Sequence, residues 1–114
     1  ERLKEKALEA RMRYLLDLLS LAARAGLVLG GAERLQEALQ AGQIRLLLVA
    51  SDASEESIHR LKSSAAEVPC FKMPLDKESL GRRVGKGARA ALGMLAGSLS
   101  TVVAEQLPQI EILR

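Results

Sequence analysis

Apolar residues recur at three- and four-residue steps at the start of the chain, which predicts a long amphipathic helix over residues 2–24. The stripe consists of Leu3, Ala7, Ala10, Tyr14, Leu15, Leu18, Leu19 and Ala22. Gly26 is expected to end this helix, because glycine adopts the left-handed backbone of a helix C-cap without a steric penalty.

Short apolar segments then alternate with amphipathic ones. Strands are predicted at residues 27–29, 45–50, 70–73 and 88–95. Helices are predicted at residues 31–41, from Ser54 to the residues before Pro69, at 77–84 and at 98–106. Ser54 and Asp76 are expected to cap their helices. Pro108 is expected to end the last helix, so that residues 110–113 form either a small extra strand or a tail.

The apolar run at residues 45–50 is typical of a strand that is covered on both faces. Helices that alternate with buried strands predict an α/β fold, a three-layer α/β/α sandwich with a central mixed sheet of about four strands. The length of 114 residues suits one domain, and the 48% hydrophobic content excludes a disordered chain.

The residue inventory argues against an enzyme. Cys70 and His59 are the only cysteine and histidine, so the sequence predicts neither a disulfide nor a metal site. No serine is combined with the partners of a catalytic triad, and we expect no cofactor and no small-molecule substrate. No apolar run reaches the ~18 residues of a membrane span, and the chain is expected to be cytoplasmic.

The positive charge is unevenly distributed. The net charge is +3, and no acidic residue lies between Glu78 and Glu105. That window contains Arg82, Arg83, Lys86 and Arg89. A local basic face is typical of nucleic-acid binding, and the structural alternative is a solvated helix end. Tyr14 and Phe71 are the only aromatic residues, which argues against modules that stack bases on aromatic platforms.

A pair of glycines, Gly30 and Gly31, stands between the first predicted strand and the second helix. At such a turn the free N–H groups of the first helical turn and the helix dipole favour an anion. The structural alternative is a tight turn that needs positive φ. Glu33 and Glu37 lie four residues apart and share one helix face. They are either a solvated pair of carboxylates, or Glu33 accepts hydrogen bonds from guanine amino groups.

Segments in the same order resemble the kink-turn RNA-binding ribosomal-protein family, the L-seven-Ae and L-thirty-e group. These are the helix end Arg24-Ala25-Gly26, the helix start Gly31-Ala32-Glu33-Arg34, and the stretch Leu47-Leu48-Val49-Ala50-Ser51-Asp52-Ala53-Ser54. Ser79-Leu80-Gly81-Arg82-Arg83-Val84-Gly85 resembles the family's later Leu-Gly-Arg-x-x-Gly helix end. The resemblance is greatest to the bacterial members, which are small proteins thought to bind RNA or ribosomes.

The resemblance extends from about Arg13 to Gln106 and implies a non-catalytic protein of translation that binds ribosomal or other structured RNA. Residues 1–12 are then a helical extension or linker, and residues 13–114 are the RNA-binding domain. The sequence given does not begin with Met, and we expect the chain to be either processed or a fragment of a longer polypeptide. The resemblance implies one RNA contact at Gly31, Ala32, Glu33, Arg34 and Glu37 and a second at residues 84–89. Together with the glycine turn and the basic window, the predicted RNA-binding residues are Gly30, Gly31, Ala32, Glu33, Arg34, Glu37, Arg83, Lys86, Gly87 and Arg89.

The chain departs from the family's Gly-x-Asn-Glu-x-x-Lys pattern at three positions. Glu33 replaces the Asn, Arg34 replaces the Glu, and Glu37 replaces the Lys. Each lost base contact weakens discrimination by roughly 1–3 kcal/mol, so general RNA binding is expected rather than kink-turn specificity. Two other functions stay open: a protein–protein interaction module of the same fold, and the substrate-binding appendage of an RNA methyltransferase.

Overall fold

The computed structural model describes residues 2–65 and 67–113, the last five of them by their backbone alone. The elements follow in the order α1 (Arg2–Arg24), β1 (Val28–Leu29), α2 (Ala32–Gln40), β2 (Ile44–Val49), α3 (Glu55–Ser64), β3 (Cys70–Lys72), α4 (Lys77–Arg83), β4 (Ala91–Leu95) and α5 (Ser98–Leu113). The helices and strands predicted from the hydrophobic pattern are therefore present in the predicted order.

The strands form one four-stranded mixed sheet in the order β1-β4-β2-β3. β4 is antiparallel to both of its neighbours, with Leu29 opposite Gly93 on one side and Val49 opposite Ala91 on the other. β2 and β3 are parallel. It follows that β1, β2 and β3 point in the same direction and end at one edge of the sheet, which we call the carboxyl edge.

Helices cover both faces of the sheet, which confirms the predicted three-layer architecture. Leu46 and Leu48 of β2 belong to a core cluster that includes buried residues of α1, α4 and α5. Leu47 and Val49 belong to a second cluster with α2, against which residues of α3 pack. The alternation arises because successive side chains of a strand point to opposite faces.

The helix ends are formed by the residues predicted for them. Gly26 has a φ of 75°, and the next amide, from Leu27, donates to the carbonyl of Ala22 at 2.9 Å. The side chains of Ser54 and Asp76 accept hydrogen bonds from backbone amides three residues later, at 3.1 and 2.8 Å.

The prediction for the end of the chain is wrong. α5 runs through Pro108 to Leu113, so residues 110–113 are neither a strand nor a tail. A proline removes one helical hydrogen bond, but its fixed φ is itself close to the helical value. α5 also packs along α1, where the Arg11 guanidinium donates to the side chain of Gln106 at 3.2 Å. This packing supports a helix that local signals would end earlier.

β4 is also shorter than predicted. It begins at Ala91, opposite the last residue of β2, and residues 88–90 belong to the preceding loop. The alanine-rich sequence carries no local signal for this boundary, which depends on where the neighbouring strand ends.

Candidate nucleic-acid interface

The carboxyl edge brings together helix N-termini and one loop. α2 and α3 start shortly after β1 and β2 end there, and α4 follows β3. The loop between α4 and β4, residues 84–90, returns to the same edge because β4 is antiparallel to its neighbours. Ligands of open α/β sheets characteristically bind at this edge, outside the ends of the strands.

The glycine turn contains Gly31 as the N-cap of α2. Gly31 has a φ of −79° and a ψ of 135°, and no side chain caps the helix there. Its carbonyl accepts the first helical hydrogen bond, from Leu35 at 2.8 Å. The N–H groups of the first turn have no acceptor within their own helix. They are the donors that a bound anion would use.

The interpretation that this turn needs positive φ is wrong, because neither Gly30 nor Gly31 has a left-handed backbone. Glycine is needed at position 30 because there is little room for a side chain there. A Cβ on Gly30 would lie 3.1 Å from both the Nε atom of Arg89 and the Cδ2 atom of Leu92. A Cβ on Gly31 would have nothing within 4 Å.

The basic loop runs back along α4. The amide of Lys86 donates to the carbonyl of Gly81 at 2.9 Å, and the amide of Arg89 donates to the carbonyl of Lys77 at 2.9 Å. Gly85 has a φ of 72°, which permits the reversal. A Cβ on Gly81 would lie 2.7 Å from the carbonyl carbon of Gly87 and closer still to its oxygen. Glycine at position 81 is therefore required for this packing.

Short hydrogen bonds connect the loops of the carboxyl edge. The amide of Ala50 donates to the carbonyl of Ala90 at 2.8 Å, and the amide of Ser51 donates to the carbonyl of Leu75 at 2.8 Å. The carboxylate of Asp52 accepts from the amide of Lys77, also at 2.8 Å. The loop after β2 is thus joined to the start of α4 and to the basic loop.

The Asp76 carboxylate is held in its charged form. Hydrogen bonds from the backbone and side chain of Ser79 lower its pKa below the ordinary aspartate value, and the charge of Arg82 adds to this effect. Arg82 itself is paired with Glu78 at 3.2 Å, on the exposed side of α4.

The structure brings two of the predicted segments into contact. The side chain of Arg89 lies against Gly30, so the basic loop meets the glycine turn directly. Lys86 is exposed on the same loop, and Gly87 is exposed beside it. Arg83 lies in the last turn of α4, at the other end of the helix from the contact between Lys77 and Arg89. The carbonyl of Arg83 accepts a hydrogen bond from the Ser20 hydroxyl at 2.9 Å.

Ala32, Glu33, Arg34 and Glu37 are all exposed on α2. Glu33 and Glu37 line an open groove together with Arg60 of α3. The predicted shared face of the two glutamates is therefore present, and it faces a cation from the neighbouring helix.

The Ribosomal protein L7Ae/L30e/S12e/Gadd45 family matches residues 14–104. The chain belongs to this family. The matched range agrees with the resemblance found in the sequence and includes both the glycine turn and the basic loop. No curated protein matches the chain.

Two solved structures illustrate the family fold. A protein of unknown function from Bacillus halodurans is 31% identical, with a TM-score of 0.75 over 82% of this chain and 96% of that one. A Giardia lamblia 15.5kD RNA binding protein is 24% identical, with a TM-score of 0.70 over 95% of this chain and 91% of that one. The second likeness shows the fold alone.

Sequence reasoning missed three residues beside the glycine turn. Ser57 and Arg60 of α3, with Gln36 of α2, line a pocket of about 110 Å³ that Gly30 and Ala90 also border. The spacing of Ser57 and Arg60 places them on one face of α3. That spacing was available in the sequence, but the packing of α3 against α2 was not.

Cys70 is partly buried in β3, and burial raises the pKa of its thiol. Within the described ranges 2–65 and 67–113, no three histidine, cysteine or carboxylate side chains are grouped as metal ligands would be. None of the helices in those ranges is both long and apolar enough to span a membrane.

Proposed function

We propose that this chain is a non-catalytic RNA-binding protein that uses the carboxyl edge to bind ribosomal or other structured RNA. The observation that carries the proposal is the contact of Arg89 with Gly30, which joins a cationic loop to an uncapped helix N-terminus. Both features suit phosphate groups, which receive most of the hydrogen bonds in protein–nucleic acid interfaces.

Each segment has a distinct role in the proposed complex. The amides of the first turn of α2, from Ala32 onward, donate to one phosphate, and Lys86 and Arg89 neutralise its neighbours. Arg34 is exposed one turn beyond Gly30 and extends the cationic surface along α2. Glu33 accepts hydrogen bonds from the amino group of a guanine.

Arg83 and Gly87 complete the proposed set. Gly87 lets the backbone of the basic loop approach the RNA closely, because it has no side chain there. Arg83 lies farther along α4 and contributes a contact only where the RNA extends beyond the basic loop. Residues 1–12 serve as a helical extension to the domain of residues 13–114.

The family supports RNA as the partner, since it is named for the ribosomal proteins L7Ae, L30e and S12e beside Gadd45, and one structural neighbour is described as an RNA binding protein. The same reasoning supports a role in translation and a cytoplasmic location. The three departures at Glu33, Arg34 and Glu37 favour recognition of phosphates over recognition of the kink-turn. Glu37 in particular places a negative charge where the family's lysine would attract the phosphate backbone of the RNA.

The deciding experiment is a titration of the protein with a kink-turn RNA and a matched duplex that lacks the bulge, at two salt concentrations. We expect similar affinities for both and a steep loss of affinity with salt, since released counterions drive phosphate binding. Binding that requires the kink would show that the altered motif still recognises the family's RNA element. Absence of binding to both RNAs would refute the proposal.

A charge-reversal pair locates the interface. Lys86→Glu with Arg89→Glu is expected to weaken binding and to flatten its salt dependence. Arg24→Glu with Arg45→Glu is the matched control, because these two exposed arginines precede β1 and lie near the start of β2, at the opposite edge of the sheet. Equal losses for both variants would mean that net charge alone, rather than the carboxyl edge, drives binding.

The second candidate is a protein–protein interaction module that has lost specific RNA binding. It is favoured by the groove between α2 and α3, where Glu33 and Glu37 make the surface acidic beside Arg60. Salt-insensitive capture of a protein partner, without RNA, would support this candidate over the first.

A further inference from the structure

We propose that Gly30 is a positioning residue, whose missing side chain makes the space that holds the Arg89 guanidinium beside the glycine turn. The inference rests on the proposed RNA-binding function, but the position of Arg89 can be tested without RNA. It assigns Gly30 an indirect role, through Arg89, rather than a contact with the ligand.

The argument starts from the close approach of the two residues. β1 pairs with β4 so that Leu29 is opposite Gly93, which places the next residue, Gly30, against the side chains at the start of β4. A Cβ at position 30 would lie 3.1 Å from Nε and 3.2 Å from Cδ of Arg89. These separations are shorter than ordinary van der Waals contact, so a Cβ alone makes Arg89 give by a few tenths of an ångström, and the further carbons of a larger side chain require more.

The backbone of Arg89 is anchored, so its side chain is the part that moves. Its amide is bonded to the carbonyl of Lys77, and the neighbouring Ala90 carbonyl accepts from Ala50. The guanidinium Nη1 atom donates to the carbonyl of Ala88 at 3.0 Å. Among the described residues the buried Nε atom has no hydrogen-bond partner and Arg89 forms no ion pair.

Two consequences follow from this arrangement. The atoms nearest to a Cβ at position 30 belong to the side chains of Arg89 and Leu92 and not to the backbone, so a larger residue there displaces side chains first. The fold is therefore expected to tolerate the change, whereas the cation leaves the position from which it joins the basic loop to the first turn of α2. Loss of that cation removes one phosphate contact, which is visible in the salt dependence of RNA binding.

The experiment compares Gly30→Val, Arg89→Ala and the double variant with the wild-type chain. The probe is the duplex RNA that lacks the bulge, titrated at several salt concentrations. We expect each single variant to lower the slope of log affinity against log salt by about one. The double variant is expected to match Arg89→Ala alone, because Gly30 has no further effect once the arginine is absent.

Arg45→Ala serves as the control for loss of one cation at the opposite edge, and thermal unfolding checks that each variant is folded. A wild-type slope for Gly30→Val, alongside a lowered slope for Arg89→Ala, would overturn the inference. A double variant whose losses add would overturn it too, since the two residues would then act independently.

A measurement without RNA separates this inference from the proposed function. The Nε–H proton of Arg89 is enclosed in the wild-type chain, so its NMR signal is expected to exchange slowly with water. In Gly30→Val the exchange is expected to become about tenfold faster, because exchange of an enclosed N–H depends on local opening. Equal exchange rates in both chains would refute the positioning role, whether or not any RNA binds; failure of RNA binding with the expected exchange rates would refute only the proposed function.

Discussion

Replacing Gly81 by alanine tests whether the basic loop is held against α4. Intrinsic helix propensity favours this change, because alanine is more stable than glycine in a helix interior by about 1 kcal/mol. In the folded structure, however, the added methyl group is expected to lower the free energy of unfolding. The new Cβ would lie 2.7 Å from the carbonyl carbon of Gly87 and 3.2 Å from the amide nitrogen of Arg89. These are backbone atoms, which cannot rotate away as the end of a side chain can.

The size of the destabilisation depends on how the basic loop responds to the new methyl group. The loop cannot stay in place, because the new Cβ would overlap the carbonyl group of Gly87. When the loop withdraws, the chain loses the hydrogen bonds from the amide of Lys86 to the carbonyl of Gly81 and from the amide of Arg89 to the carbonyl of Lys77, both 2.9 Å long. At about 1 kcal/mol each, these amount to about 2 kcal/mol. After the propensity gain is subtracted, we expect a net destabilisation of about 1 kcal/mol and a Tm lower by about 4 °C.

The matched control is the other glycine of the same contact. A Cβ on Gly87 would meet only the Nη1 atom of Arg89, at 3.8 Å, and Gly87 has no left-handed backbone. Gly87→Ala is therefore expected to be neutral or to stabilise the chain by about 0.5 kcal/mol, through the unfolded state. Urea unfolding followed by circular dichroism measures both variants. A Gly81→Ala variant as stable as Gly87→Ala would refute the packing argument.

Two further predictions concern stability. Since the pKa of Asp76 is lowered in the folded chain by its hydrogen bonds with Ser79, its stabilising effect is complete above the unfolded aspartate pKa and is lost as the pH falls through the lower pKa of the folded chain. Asp76→Ala should therefore weaken the chain at neutral pH and reduce its loss of stability in acid, as pH-dependent urea unfolding would show; equal acid sensitivity would contradict this. Gly93→Ala places a Cβ 3.0 Å from Cδ1 of Ile44 and closer to Leu35, so we expect a loss of about 1–3 kcal/mol in thermal or urea unfolding, and unchanged stability would contradict it.

Local signals predicted most of the elements. The three- and four-residue periodicity of α1, the apolar run of β2 and the capping residues Ser54 and Asp76 all act within a few residues of where they stand. The three-layer fold followed from their alternation. The extension of α5 beyond Pro108 was not predictable in this way, because the supporting contacts come from α1, more than ninety residues away in sequence.

The candidate site, like the fold, was only partly predictable from the sequence. Sequence alone determined which residues are glycines, cations and carboxylates, and the order of segments already pointed to the family of the chain. It also indicated Gly30 and Arg89 as candidates, but as members of two separate segments, and the structural alternative that it offered for Gly30 was a need for positive φ. Only the tertiary structure decided that the two residues touch and that the requirement at position 30 is space.

The physical reason is the register of the sheet. The pairing of Leu29 with Gly93 joins residues far apart in sequence, and it brings the end of β1 beside the start of β4. Such a pairing depends on the packing of both faces of the sheet and on the lengths of the connections, rather than on local propensity. Composition and periodicity thus determined the elements and the available chemistry, whereas strand register determined which of these groups meet.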